Sequence, residues 1–182
     1  MTSLVLLEYD PAGIKQPSRS AVAAAAPLGE THGLVVGKGI EKAAAAAAKL
    51  PGLTKVLVAD ADAFEHVLAE PLAALIVALA PAYSHLFAAA TAVGKNVMPR
   101  VAALLDSQPI SDIAGVVDAE TFIRPIYAGN ALATVRSSDP KKVLTVRAAS
   151  FDPVAREGGN ATIEAAPSTP APGLSSFVSA EL

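Results

Sequence analysis

Gly94-Lys95-Asn96 sets a lysine and an amide directly after a glycine, between an apolar run at residues 86–90 and a helical stretch at residues 96–105. A glycine and a cation at the mouth of a helix have the chemistry of a phosphate loop. Backbone N–H groups and the helix N-terminus favour an anion, and the lysine neutralises it. The Walker pattern is incomplete: Asn96 stands where a serine or threonine would reach a magnesium ion, and no glycine lies five residues before Gly94. The same three residues suit a turn whose Lys95 and Asn96 hold a neighbouring loop or subunit. Gly37-Lys38-Gly39 repeats the theme, but Lys42 occupies the third glycine position of a G-x-G-x-x-G string, so a tight strand-to-helix turn is expected there.

Other combinations carry less chemistry. His32, His66 and His85 lack metal-ligand spacing and are expected at the surface or satisfied in the core. Asp60 and Asp62 follow an apolar run, where carboxylates serve as solvated turn residues and helix caps. Ser111, Asp112 and His85 supply the residue types of a triad, yet no G-x-S-x-G frames the serine. Arg100, Arg124, Arg136 and Arg147 form a separate group. An arginine inside apolar sequence needs a designated carboxylate, because burying it unpaired is costly. Asp112 is the candidate partner for Arg100 or Arg124. Such a pair either fixes the fold within the chain or crosses a subunit or domain boundary. No nucleophile–base arrangement emerges, so no catalytic site is expected.

The elements that would position these residues follow from hydrophobic patterning. Continuous apolar runs at residues 4–7, 34–36, 56–58 and 86–90 fit strands covered on both faces, as in a parallel sheet. Helical stretches lie between them. Pro17 opens the first, residues 18–28 continue it and Gly29 stops it. Residues 40–50, 71–80 and 96–105 are the next three, the last with Asn96 as cap and Pro99 in its first turn. Four strand–helix units predict an α/β fold, a doubly wound and mostly parallel sheet. Residues 122–127, 131–136 and 143–146 are strand-like with only short turns between them, predicting an antiparallel addition in the second half. From Val154 the composition turns to Gly, Pro, Ser, Thr and Ala and predicts an extended tail. Residues 174–182 suit one more helix or the start of a connection.

Composition bounds the function classes. The chain has 182 residues, enough for one core of ordinary size, and is 52% hydrophobic, much of it alanine. Alanine predicts closely packed helices rather than a bulky aromatic core. A net charge of -3 gives no basic excess for nucleic acid or anionic membrane. Cysteine is absent, which excludes disulfides and thiolate chemistry. Residues 1–8 lack the basic start of a signal peptide, and residues 72–82 are about half of a membrane span. A soluble intracellular protein is expected.

Three irregular strings occur in order: Gly94-Lys95-Asn96-Val97-Met98-Pro99-Arg100-Val101-Ala102-Ala103, Pro109-Ile110-Ser111-Asp112-Ile113, and Arg124-Pro125-Ile126-Tyr127-Ala128-Gly129-Asn130-Ala131. With the opening strand, Lys55-Val56-Leu57-Val58 and the Val146-Arg147…Ser150-Phe151 ending, they make the chain resemble the amino-terminal domain of an electron-transfer flavoprotein alpha subunit over nearly its whole length. Tyr9 departs from the histidine often found there in that family, and the alanine-rich helices are unusual.

The resemblance implies a sheet like that of the adenine nucleotide alpha hydrolases, paired with a similar domain of a beta subunit. It implies an FAD-containing heterodimer that carries electrons from flavin dehydrogenases, such as the acyl-CoA dehydrogenases of fatty acid beta-oxidation, to a membrane quinone oxidoreductase. In that family a carboxyl-terminal domain makes most FAD contacts and AMP belongs to the beta subunit, so no cofactor is expected on these residues. Residues 1–153 are expected to form the α/β domain, and residues 154–182 a tail or linker toward an FAD-binding domain. Gly94, Lys95, Asn96, Arg100, Asp112, Arg124, Tyr127 and Asn130 are expected as structural or interface residues of an electron carrier subunit. The implied compartment is the bacterial cytoplasm or the mitochondrial matrix, without nucleic acid or membrane insertion. The alternative is a free-standing nucleotide-binding domain of the universal-stress type, using a loop-to-helix phosphate site.

Overall fold

The structure, a computed structural model, describes residues 1–179. Strand β1 (Thr2–Leu6) leads through a small ribbon, β2 (Tyr9–Asp10) with β3 (Gly13–Ile14), into helix α1 (Gln16–Ala25). Then follow β4 (Glu30–Gly37), α2 (Glu41–Ala48), β5 (Lys55–Asp60), α3 (Ala69–Leu79), β6 (His85–Ala89) and α4 (Ala92–Leu104). The second half holds β7 (Pro109–Ile113), β8 (Gly115–Val116), β9 (Thr121–Ile126), β10 (Ala131–Arg136), β11 (Lys142–Val146) and β12 (Thr162–Ala165).

Seven strands form one sheet in the order β12-β5-β4-β1-β6-β11-β7, and every neighbouring pair is parallel. Successive side chains of a strand point to opposite faces, and both faces here are covered. Val5 and Leu7 pack with Ala21, Val22 and Ala25 of α1 and Ala43 and Ala47 of α2. Leu4 and Leu6 pack with Leu72, Leu75 and Ile76 of α3 and Val97, Met98 and Val101 of α4. This is the doubly wound arrangement that the four strand–helix units predict, with alanines of α1 and α2 packed on one face. β8, β9 and β10 form a separate antiparallel sheet, joined to the core through buried Phe122.

The structure corrects several expectations. Residues 143–146 do not extend the antiparallel sheet. They form β11, which lies between β6 and β7 and runs parallel to both. Parallel neighbours need a long crossover, usually a helix. Here the antiparallel arm itself supplies the crossover between β7 and β11, so the missing helix misled the sequence reading. Asn96 does not cap α4: Thr91 does, its hydroxyl accepting from the Gly94 N–H at 3.2 Å. Pro99 therefore falls inside the helix. Within the predicted tail, residues 162–165 add β12 to the sheet edge beside β5. A four-residue strand with exposed side chains leaves too short an alternation to be read in advance. Residues 174–179 are irregular; the rest of the helix expected there lies outside the described residues.

Candidate functional site

In a doubly wound sheet, ligands bind beyond the carboxyl ends of the strands where the winding reverses. Here β1 is flanked by β4 on one side and β6 on the other, so the reversal falls between β1 and β6. The residues beyond those two strands are Glu8 and Tyr9 on one side and Thr91 at the N-terminus of α4 on the other. The Thr91 hydroxyl donates to Glu8 Oε1 while accepting from Gly94. The other Glu8 oxygen lies 4.0 Å from Lys15 Nζ, and the Ser18 hydroxyl accepts from the Glu8 N–H at 2.8 Å. A carboxylate of the chain itself thus stands beside the helix N-terminus, where the dipole attracts an anion. The neighbouring cavity is about 210 Å³ and is lined mainly by Leu6, Leu7, Tyr9, Val36 and Val93.

Tyr9 closes this region further. A Cβ added at Gly37 would overlap the Tyr9 hydroxyl, so the tyrosine lies directly against the end of β4. Burial, and then the nearby Asp60 carboxylate, push the Tyr9 pKa above its ordinary range. The hydroxyl stays protonated, as a packed tyrosine requires. The rim beyond β1 therefore carries a carboxylate of the chain, with Lys15 beside it, and a tyrosine packed against the end of β4.

The expected site residues are not brought into one cluster. Gly94 is required sterically: a Cβ there would overlap the Ala89 carbonyl, so glycine lets α4 approach the end of β6. Lys95 and Asn96 are exposed on the first turns of α4, and Arg100 is half-buried farther along it. Asp112 pairs with neither Arg100 nor Arg124. Its Oδ2 accepts from Arg147 at 3.3 Å, and its backbone N–H donates to the Thr145 hydroxyl at 2.9 Å. The pairing fails to follow the sequence because β11, inserted beside β7, carries Arg147 to Asp112. Arg124 lies on β9 with its Nε buried and without a hydrogen-bond partner among the described residues. It lines a cavity of about 300 Å³ with Gln108, Ile110, Arg136 and Ser137. Tyr127 and Asn130 sit at the tip of the arm, where Tyr127 is 79% exposed at φ +50° and Ala128 has φ +54°.

The weaker combinations resolve into structural roles. Lys38 is engaged by Asp62 at 3.2 Å and Glu65 at 3.1 Å. The Asp60 carboxylate accepts from the Gly39 and Ile40 N–H groups at 2.9 and 3.1 Å, tying the turn that leads into α2 to the end of β5. His32 Nδ1 is 2.9 Å from the Tyr83 hydroxyl, whose pKa burial pushes up to about 12. His85 Nε2 is 2.7 Å from the Ala119 carbonyl and its Nδ1 is 2.8 Å from Ser84, so its ring serves no triad with Ser111. His66 stacks on Phe177 with ring centroids 3.6 Å apart. Among the described residues, no group of three or more His, Cys, Asp or Glu is placed to hold a metal, and no helix is long and apolar enough to cross a membrane. Sequence reasoning missed Glu8 and Thr91. The one available signal was an acidic residue just past the first strand, on the same rim as a threonine three residues before Gly94.

Comparison with known proteins gives the family. The model of the electron transfer flavoprotein domain matches residues 3–171. The chain is 50% identical over 183 residues to an electron transfer flavoprotein subunit alpha of Pseudomonas aeruginosa, covering 100% of this chain and 59% of that protein. It is 54% identical over 183 residues to the corresponding subunit of Bradyrhizobium diazoefficiens, covering 100% and 58%. It is 44% identical over 160 residues to a mitochondrial subunit alpha of Arabidopsis thaliana, covering 83% and 44%. The chain spans between about two fifths and three fifths of the length of these relatives. On the strength of a match that runs through nearly every element of the sheet, the chain belongs to the electron transfer flavoprotein family, among its alpha subunits.

Proposed function

We propose that this chain is the scaffold domain of an electron carrier, gripping a beta subunit and forming part of the base on which a flavin domain rests. The observation that supports the reading best is the hydrogen bond of Glu8 to Thr91 at the point where the winding reverses, combined with the cavity-lining Arg124 and the exposed Tyr127 of the arm. A rim that engages its own carboxylate is less suited to phosphates, while an arginine whose Nε has no partner among the described residues and a 79% exposed tyrosine suit a protein surface. In this reading the FAD is held outside residues 1–179. The chain catalyses nothing by itself, and residues from about 154 onward lead toward the flavin domain. The complete heterodimer takes electrons from flavin dehydrogenases, such as acyl-CoA dehydrogenases, and delivers them to a membrane quinone oxidoreductase. Its compartment is the bacterial cytoplasm or the mitochondrial matrix.

The purified 182-residue chain is expected to show no flavin band in its visible spectrum and to form a complex with the beta subunit in size-exclusion chromatography. A stoichiometric flavin band, or failure to associate, overturns the proposal. The Glu8 carboxylate weighs against the universal-stress alternative, for which calorimetry should detect micromolar ATP or AMP binding that Lys42→Gln leaves unchanged.

A further inference from the structure

Away from the crevice, four of the chain's 14 lysines and arginines line one cavity of about 340 Å³: Arg19, Lys42, Lys49 and Arg156. One carboxylate, Glu157, shares the lining and is 3.5 Å from Lys49. In a chain whose net charge is negative, this concentration needs a cause. Like charges brought together raise one another's free energy, and a concave wall focuses their field.

Two of the four are held by the backbone. Arg19 Nη1 donates to the Val154 carbonyl at 2.6 Å, and Arg156 Nη1 donates to the Ala12 carbonyl at 2.8 Å. A guanidinium has five N–H donors, so each retains several for a ligand. Arg19 Nε is buried and unpartnered. Lys42 lies in the first turn of α2 and Lys49 is its C-terminal cap, about 10 Å apart along the helix. Between them Ala45 and Ala46 offer a floor of small side chains, and Gly13 forms a wall.

We propose that this cavity is a binding site for a small molecule bearing two linked phosphoryl groups. Arginines held by the backbone that hydrogen-bond oxygen in a fork, flanked by exposed lysines, match phosphoryl oxygens. Cations spread along the whole of α2 match a diphosphate better than a single phosphate. The site continues past Lys42 into a trough lined by Tyr9, Asp10, Pro11, Gly39 and Ile40, which takes the organic, uncharged part of the ligand. The site stands independently of the scaffold assignment above.

Calorimetric titration of the complete protein with inorganic pyrophosphate at low ionic strength tests it. Saturable binding is expected, weakened about tenfold by Lys42→Gln or Lys49→Gln, the range of one charge-assisted contact. Both lysines are exposed, so circular dichroism should find these variants folded. Lys55→Gln, a charge loss elsewhere, should bind as the parent does. Absence of saturable heat, an equal loss in Lys55→Gln, or a hexaglutamate peptide binding as tightly as pyrophosphate would each overturn the proposal.

Discussion

Glu8 and Thr91, beyond the carboxyl ends of the adjacent strands β1 and β6, are hydrogen-bonded to each other across the point where the sheet reverses its winding. One hydroxyl joins a carboxylate to the helix that begins at Ala92, because Thr91 also accepts from Gly94. The rim on which related architectures place a ligand is therefore part of the fold here.

Thr91 is accordingly expected to matter for stability. Thr91→Ala removes the cap of α4 and leaves Glu8 without its donor, a loss of about 1–2 kcal/mol by urea denaturation. Thr91→Ser should retain most of it. An unchanged midpoint in Thr91→Ala would show that the hydroxyl contributes nothing.

Gly37 and Gly94 should respond differently to the same substitution. At Gly37 the obstacles are side chains, the Tyr9 hydroxyl and Ile40 Cγ2 at 2.6 Å, so Gly37→Ala is expected to lose about 1–3 kcal/mol. Tyr9→Leu in the same chain should restore part of that loss. At Gly94 the obstacle is the Ala89 backbone carbonyl, and no side-chain change relieves it. A double-mutant cycle showing no coupling between positions 9 and 37 would refute this account.

His85 should give the protein a pH dependence. Burial lowers its pKa below the ordinary 6.5, outweighing the hydrogen bond to the Ala119 carbonyl, which acts the other way. The folded state thus binds fewer protons than the unfolded state in the window below 6.5. The stability that this group contributes is complete above pH 6.5 and is lost as pH falls from there toward the lower folded pKa. Chemical denaturation measured from pH 7.5 to about 5 should show the decline, and His85→Gln should flatten it. The lowered pKa values of Glu30, Asp118 and Glu120 act below their ordinary carboxylate range, outside this window.

Tyr127 should separate association from folding. Its side chain is exposed at the tip of the arm, so Tyr127→Ala is expected to leave the thermal midpoint of the isolated chain unchanged. If the arm grips the beta subunit, the same change weakens the complex about 30-fold, as loss of an aromatic anchor does. Surface plasmon resonance against the beta subunit measures this, and parent-like affinity would remove Tyr127 from the interface.

Much of this was readable from local patterning. The buried runs before each of the four helices, the stop at Gly29 and the polar turn at Ala128-Gly129-Asn130 follow from residue type alone, because short-range sterics and burial on both faces act within a few residues. Gly94 too was singled out by its place after a strand. The strings that resembled the alpha-subunit family fall on α4, β7 and the arm β9–β10.

By itself, the sequence determined the fold class, the absence of thiol chemistry from these 182 residues and the presence of arginines in need of partners. Which partner each arginine received, and that the crevice would be filled from within, were decided only by the tertiary structure. Asp112 met Arg147, and not Arg100 or Arg124, because β11 was inserted parallel between β6 and β7. Glu8 met Thr91 because two strands far apart in the chain became neighbours in the sheet. Strand order is set by which pairing buries the most apolar surface over the whole chain. It is a global quantity that no local window of residues contains.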